Sequence, residues 1–377
     1  MYNYFKKIIL ILLTLFVLEF SSFIILKFFT DSGTYRTIVS PQTFDYQTGF
    51  MNQPNYIVKS KGSVIEINEF GRPETPIKYE KPELNIAITG GSVIFGIGSS
   101  NNENSIPSLI EKKIYDKYGI KAEVTNLGVR AYNYYQEMMI LYYYLVDNKP
   151  DIIISLSGFN EVNQFTKHYI FDPLLFKKKK PNKTDFINHI FYLDKKNLIN
   201  RAINGEVLLI NLNNFFRKNF YTFELLFRAY QKYYLTSKIN KKKKQKAKNL
   251  AELNFDLENY PNQDFDLKID LLFKNISMVN TLSKENGAKY FYILQPTPYR
   301  LENFDNESNK KKIEKKLINY LYEKINSEKE RLPIFDISKS KSLIEKKDII
   351  FRDRVHLKDE GSNIVAEEII KIINKEL

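Results

Sequence analysis

The chain has 377 residues, 43% of them hydrophobic and 14% aromatic, which supports a sizeable core and excludes wholesale disorder. It contains no cysteine, so disulfides, thiolate catalysis and cysteine-held metals are excluded. The formal charge of +13 sits in separate lysine runs at 177–180, 241–248 and 310–316 and not in one aromatic-interleaved stripe, with arginine sparse. This pattern favours solvated lysine faces first and anionic lipid or acidic glycan second, and no nucleic-acid partner is expected.

Residues 1–30 read as a cytoplasmic stub and a transmembrane signal anchor. Lys6-Lys7 precede an apolar run from Ile8 to Phe29, about the 20 residues a helix needs to cross a bilayer. Lysines before the span favour a cytoplasmic N-terminus, and no Ala-x-Ala cleavage site follows. The remainder is then exported from a single-pass protein of the inner (cytoplasmic) membrane, on its periplasmic or extracellular side. Glu19 interrupts the run; it either contacts a membrane partner or is a protonated or interfacial glutamate in a tilted span. Residues 31–83 read as a polar connector. Within it Ser63–Asn68 alternates like a half-exposed strand, and Asn68-Glu69-Phe70-Gly71-Arg72 reads as a turn, together suggesting an edge hairpin.

From Leu84 strands and helices alternate. Leu84, Ile86, Ala87 and Ile88 form a buried strand that ends at Gly90-Gly91-Ser92. Ser105–Tyr118 carries apolar residues at helical spacing behind Pro107. Ala122–Asn126 is a second strand, ending in Leu127-Gly128, and Tyr132–Val146 is a helix. Asp151–Ser157 is the clearest buried strand and ends in Gly158-Phe159-Asn160-Glu161. A long, basic, aromatic stretch at about 165–266, with helices near Leu198–Phe216 and Phe220–Lys248, breaks the rhythm as an inserted cap would. A helix at Leu267–Asn286, a strand at Ala288–Leu294, a helix at Lys310–Ile325, a strand at Ile334–Ile337 and a closing helix from Gly361 complete residues 84–377. The alternation predicts an α/β fold with an open, mostly parallel five-stranded sheet.

In such sheets ligands bind outside the carboxyl ends of the strands. Ser92, Gly128 and Asn160 all follow strand ends and share that edge. Gly90-Gly91-Ser92 alone suits a helix cap, a phosphate cradle or a nucleophile, although a P-loop's Gly-Lys-Ser/Thr ending is missing. A serine nucleophile needs a base. Of three histidines, His168 and His189 lie in the insertion, whereas His356 follows the last strand with Asp353 three residues before it. A carboxylate at that spacing can orient an imidazole. Ser92 N–H, Gly128 N–H and the Asn160 amide converge as donors for a tetrahedral oxyanion. Singly, Gly128 is a turn glycine, Asn160 a cap, and Asp353 a partner for Arg354 or a lysine; jointly they point to acyl transfer.

The order Ser, Gly, Asn, Asp-x-x-His resembles the SGNH/GDSL hydrolase superfamily over about 84–377. Its four blocks are matched by Gly90-Gly91-Ser92, Gly128, Gly158-Phe159-Asn160-Glu161 and Asp353-Arg354-Val355-His356, and the Asn68–Arg72 turn looks like that of membrane-anchored bacterial members. Gly91 replaces the aspartate of Gly-Asp-Ser, and Glu161 replaces the aspartate after the block asparagine. The resemblance implies a flavodoxin-like three-layer α/β/α fold. It implies Ser92 as nucleophile, His356 as base and Asp353 as its orienter, with Ser92, Gly128 and Asn160 as the oxyanion hole, and neither cofactor nor metal. Expected partners are an acylated glycan or small ester substrate, the membrane through residues 8–29, and a membrane acyl-donor protein in the transferase case. The implied activity is that of a membrane-anchored serine esterase or O-acyltransferase on acetyl esters of a cell-surface glycan; the alternative is a non-catalytic glycan-binding or scaffolding protein on the same fold.

Overall fold

A computed structural model describes residues 2–25, 42–45, 48–60, 62–165, 216, 219–223, 225–226, 229, 261, 263–301 and 309–377. The described residues fall into two units: 2–25 with those between 216 and 229, and 42–165 with 261–377. The expected cap at about 165–266, including His168 and His189, lies almost wholly outside the described residues.

In the first unit, helix α1 (Tyr2–Ile24) contains the one described stretch, Lys6–Ile24, long and apolar enough to cross a membrane. The second unit is built on a five-stranded, all-parallel sheet. Its strands are β5 (Leu84–Gly90), β6 (Ala122–Asn126), β7 (Ile152–Ser157), β8 (Lys289–Leu294) and β9 (Ile334–Asp336), in the order β6-β5-β7-β8-β9. Every residue of β7 is buried, as a strand covered on both faces requires.

Two cores lie on the two faces. On one, α3 (Ile106–Tyr118) and α11 (Asp359–Ile373) pack onto β5 and β6. Ile106, Ile110 and Ile114, spaced by four, form the buried stripe of α3 and meet Val365 and Ile369 of α11. Each such side chain contributes about 1.5–3 kcal/mol by burial. On the other face lie α4 (Tyr134–Asp147), α6 (Gln263–Glu285) and α8 (Asn309–Asn326), through Leu141, Phe265, Ile269 and Leu321. The architecture is therefore the three-layer α/β/α sandwich expected. Local chemistry sets the ends: Pro107 opens α3 and Gly119, at φ +70°, closes it, while Asn133 and Gln136 form a capping box before α4.

Glu111, on the inner side of α3, is fully buried; one carboxylate oxygen accepts the Val124 N–H at 3.2 Å. Burial, outweighing that bond, pushes its pKa from 4.5 up to about 7. The folded state thus favours the protonated acid. The contribution to stability is full below pH 4.5 and is lost as pH rises through about 7. Glu111→Gln should therefore gain stability relative to wild type across that window. Urea unfolding at its two ends tests this, and an unchanged difference would refute it.

The connector is more ordered than its composition suggests. Strands β1 (Gln42–Asp45) and β2 (Gly49–Asn52) form one antiparallel hairpin, and β3 (Tyr56–Ser60) and β4 (Ser63–Ile67) form another. Asn68–Arg72 is a turn, closed by Asn68 Oδ1 accepting the N–H groups of Phe70 and Arg72. It follows β4, whose strand partner lies upstream. The buried side of β3–β4, Val58, Ile65 and Ile67, packs on Phe95 and Ile97, immediately behind Ser92.

Candidate active site

The order β6-β5-β7 places the sheet's switch point between β5 and β7, and the chain leaves these strands at Ser92 and Asn160. Ser92 is the first residue of a four-residue helix, α2 (Ser92–Phe95), whose N-cap position is Gly91 and not the serine. It pairs instead with His356: Oγ lies 2.8 Å from Nε2. The helix-cap reading of this serine is thereby displaced.

His356 Nδ1 lies 2.9 and 2.8 Å from the two carboxylate oxygens of Asp353. A carboxylate only accepts, so Nδ1 carries the proton and Nε2 is free to take the one on Ser92. Asp353 Oδ1 also accepts the backbone N–H groups of Val355 and His356, both at 3.0 Å, which folds Asp-x-x-His into a compact turn. Burial works against the Asp353 charge, yet the His356 ring and these amides outweigh it and hold the carboxyl well below the usual range. Arg354 does not pair with Asp353. Its guanidinium takes both oxygens of Glu314, at 2.8 and 2.9 Å, and stands 6.0 Å over the Phe159 ring.

Asn160 opens helix α5 (Phe159–Phe165) at the end of β7. Its Nδ2 donates to the Tyr132 carbonyl at 2.6 Å, which fixes the amide and leaves its second N–H unspent. A Cβ on Gly91 would lie 2.5 Å from that nitrogen, so the amide rests directly over the residue before Ser92. A side chain at this position, such as the aspartate of Gly-Asp-Ser, would require the Asn160 amide to shift from where it now stands.

Gly128 requires a correction. Its N–H donates to Asn126 Oδ1 at 2.8 Å and is not free for an oxyanion. A glycine is needed because a Cβ would lie 2.5 Å from the Phe95 amide nitrogen, so the close approach is to α2 and not to a substrate. In the same loop Ala131 is exposed and held at φ +66°, unusual for a residue with a Cβ. No acceptor for its N–H is found among the described residues, and it immediately precedes the Tyr132 carbonyl that holds Asn160.

Beneath this loop lies a buried acid pair. Glu161 accepts the N–H groups of Tyr134 (2.7 Å) and Gly158 (2.9 Å), tying the start of α4 to the turn before Asn160. Glu137 accepts the Ser157 hydroxyl at 2.9 Å. Burial first, then the neighbouring Glu161 carboxylate, pushes Glu137 well up; Glu161 is also raised by burial, but its donors oppose the rise. Burial therefore favours the protonated form of both acids, more strongly at Glu137.

Two supports of the site were not read from the sequence. Gly98, at φ +109°, lies where a Cβ would fall 2.0 Å from the Leu357 carbonyl oxygen and 3.2 Å from the His356 Cβ, so the histidine loop closes against it. The spacing Gly96-Ile97-Gly98 was the available signal. The β1–β2 hairpin braces the Gly128–Asn133 loop. Asn52 Nδ2 donates to the Gly128 and Gly71 carbonyls at 2.9 and 3.0 Å, and the Tyr132 hydroxyl donates to Thr48 Oγ1 and the Phe50 carbonyl.

The sequence matches no family model and no curated protein. Among solved structures the chain is similar to an acetyl xylan esterase, with 12% identity, a TM-score of 0.38, and coverage of 77% of this chain and 100% of that one. It is similar to an α/β hydrolase enzyme from the metagenome of Lake Arreo, Spain, with 9% identity, a TM-score of 0.37, and 78% and 97% coverage. It is also similar to a GDSL-like lipase from Bacteroides thetaiotaomicron, with 13% identity, a TM-score of 0.35, and 81% and 93% coverage. The α/β/α layering and parallel strand order described above agree with the fold that the SGNH/GDSL resemblance implied.

Proposed function

We propose that the protein is a membrane-anchored serine esterase or O-acyltransferase acting on acyl esters, acetyl in the first instance, of a cell-surface glycan. The observation that carries the chemistry is the unbroken chain Ser92 Oγ, His356 Nε2, His356 Nδ1, Asp353, with spacings of 2.8 to 2.9 Å. Nε2 takes the hydroxyl proton as Oγ attacks the ester carbonyl. Negative charge then gathers on the carbonyl oxygen, where the Ser92 N–H and the second N–H of Asn160 donate to it. Ala131 takes the place of Gly128 as the further backbone donor. Collapse of the intermediate expels the sugar oxygen, which takes the proton back from His356 and leaves an acyl-Ser92. Water or another sugar hydroxyl attacks next, with His356 again as base. The half-buried Ser92 and His356 leave a substrate access to Oγ.

The choice of a glycan and of an exported, inner-membrane location rests on the anchor helix and on family analogy. Fluorophosphonate labelling tests the chemistry: wild type should be labelled at Ser92 and Ser92→Ala should not. Equal labelling of both, or none of wild type, would overturn the assignment. Acetyl analysis of surface polysaccharide from a deletion strain then separates the two activities, since acetyl groups rise when an esterase is lost and fall when a transferase is lost.

A further inference from the structure

Glu19 is the single acidic residue within the apolar stretch Lys6–Ile24. A carboxylate at that depth is costly in hydrocarbon and needs donors. In the structure it has them: its two oxygens accept the backbone N–H of Tyr221 and, at 3.0 Å, that of Thr222. Tyr221 and Thr222 begin a helical stretch whose first amides have no partner of their own. In water such amides are solvated, but in lipid they must be paired within the protein. Glu19 and this helix start therefore complete each other in the one medium where both need it. One turn further along α1, the Phe23 ring packs edge-on against Tyr221 with centroids 5.0 Å apart, so residues 220–222 lie level with residues 19–23.

The same segment carries unburied apolar surface. Phe216, Phe220, Tyr221, Phe223 and Leu226 are 38–65% exposed, as the lipid-facing residues of α1 are. Phe216 stacks with both Phe220 and Phe223 at 5.9 and 5.5 Å, which makes one aromatic patch. Exposed apolar patches of this kind mark membrane or protein contact surfaces, and Tyr221 beside this one has the ring type enriched at the bilayer–water boundary. The sequence adds Arg217, Lys218 and Arg228, cations suited to lipid phosphates.

We propose that this segment is a lipid-facing element, seated on the outer end of the anchor helix by Glu19, with the interfacial layer of the bilayer as its partner. It rests on the anchoring proposed above, and it makes the membrane contact a two-part surface instead of a single span. Because the chain lacks cysteine, nitroxide labels can be placed one at a time in the full-length protein. The probe membrane is a liposome of phosphatidylethanolamine and phosphatidylglycerol. Labels at Leu12→Cys, Phe223→Cys and Leu226→Cys should collide more with oxygen than with a nickel chelate, and a label at Glu69→Cys should show the reverse. If Phe223 and Leu226 behave like Glu69 while Leu12 remains in lipid, the inference fails and the anchor stands. If Leu12 itself reports water, the anchor fails and the inference with it. If Phe223 and Leu226 are shielded from both probes, protein covers the patch, which also overturns it. Glu19→Leu should shift the Leu226 label toward the water pattern, whereas Glu19→Gln keeps an acceptor oxygen and should not; an unchanged pattern in Glu19→Leu would remove Glu19 from its seating role.

Discussion

Replacing His356 by alanine is expected to lower kcat on a simple acetyl ester by about 10⁴–10⁶-fold. Among the described residues His356 is the one side chain seen hydrogen-bonded to the Ser92 hydroxyl, so its loss removes the base that the structure shows. Asp353→Asn should approach the same loss, about 10⁴-fold, while leaving the turn folded. An amide there can present its NH₂ to Nδ1, which moves the ring proton to Nε2 and leaves Ser92 without an acceptor. Asp353 is held well below the usual carboxyl range, so it stays ionised at any pH where ester turnover is ordinarily measured. Any acid limb in the rate profile therefore belongs to another group. Single-turnover acylation, read as release of the alcohol, checks both variants. Retention of more than a tenth of wild-type kcat by His356→Ala would eliminate the histidine base.

Asn160→Ala should cost about 10²–10³ in kcat, or ~2.7–4 kcal/mol, with little change in KM, because the donor matters only once the oxyanion forms. The fixed geometry of the amide sharpens this expectation. Its bond to the Tyr132 carbonyl, at 2.6 Å, places the remaining N–H before the substrate arrives, so little reorganisation accompanies charge development. Gly91→Asp should produce a comparable loss by a different route, since the new Cβ would occupy space 2.5 Å from Nδ2 and drive Asn160 aside. The two changes act on one group and should not add: the double variant should be little worse than Asn160→Ala. Full activity in Asn160→Ala on an acetylated oligosaccharide would remove that residue from the hole.

Much of the sheet was legible because β5 and β7 are near-continuous apolar runs closed by glycine turns, as strands covered on both faces are. Asp353 and His356 were legible because a spacing of three in a turn brings a carboxylate to an imidazole without help from distant chain. Gly128 was misread for a reason the sequence does not display. Asn126, two residues earlier, folds its side chain onto that amide, and its choice of partner is decided by tertiary packing against α2. The positive φ of Ala131 was equally hidden, since alanine has no leaning toward that conformation and only the surrounding loop imposes it. The β1–β2 hairpin escaped notice because its strands are four residues each and do not alternate.

That hairpin has a practical bearing on where the chain can be cut. A chain started at Leu84 would keep Ser92, Ala131, Asn160, Asp353 and His356, every group assigned to the chemistry. It would nevertheless lose the Asn52 amide from the Gly128 carbonyl and both acceptors of the Tyr132 hydroxyl, and it would strip the cover from Phe95 and Ile97. The polar leader ahead of the sheet is thus not a detachable tether. It braces the loop that holds Asn160 and covers the residues behind Ser92, so a chain truncated at Leu84 is expected to be less stable than one that keeps residues from Gln42 onward.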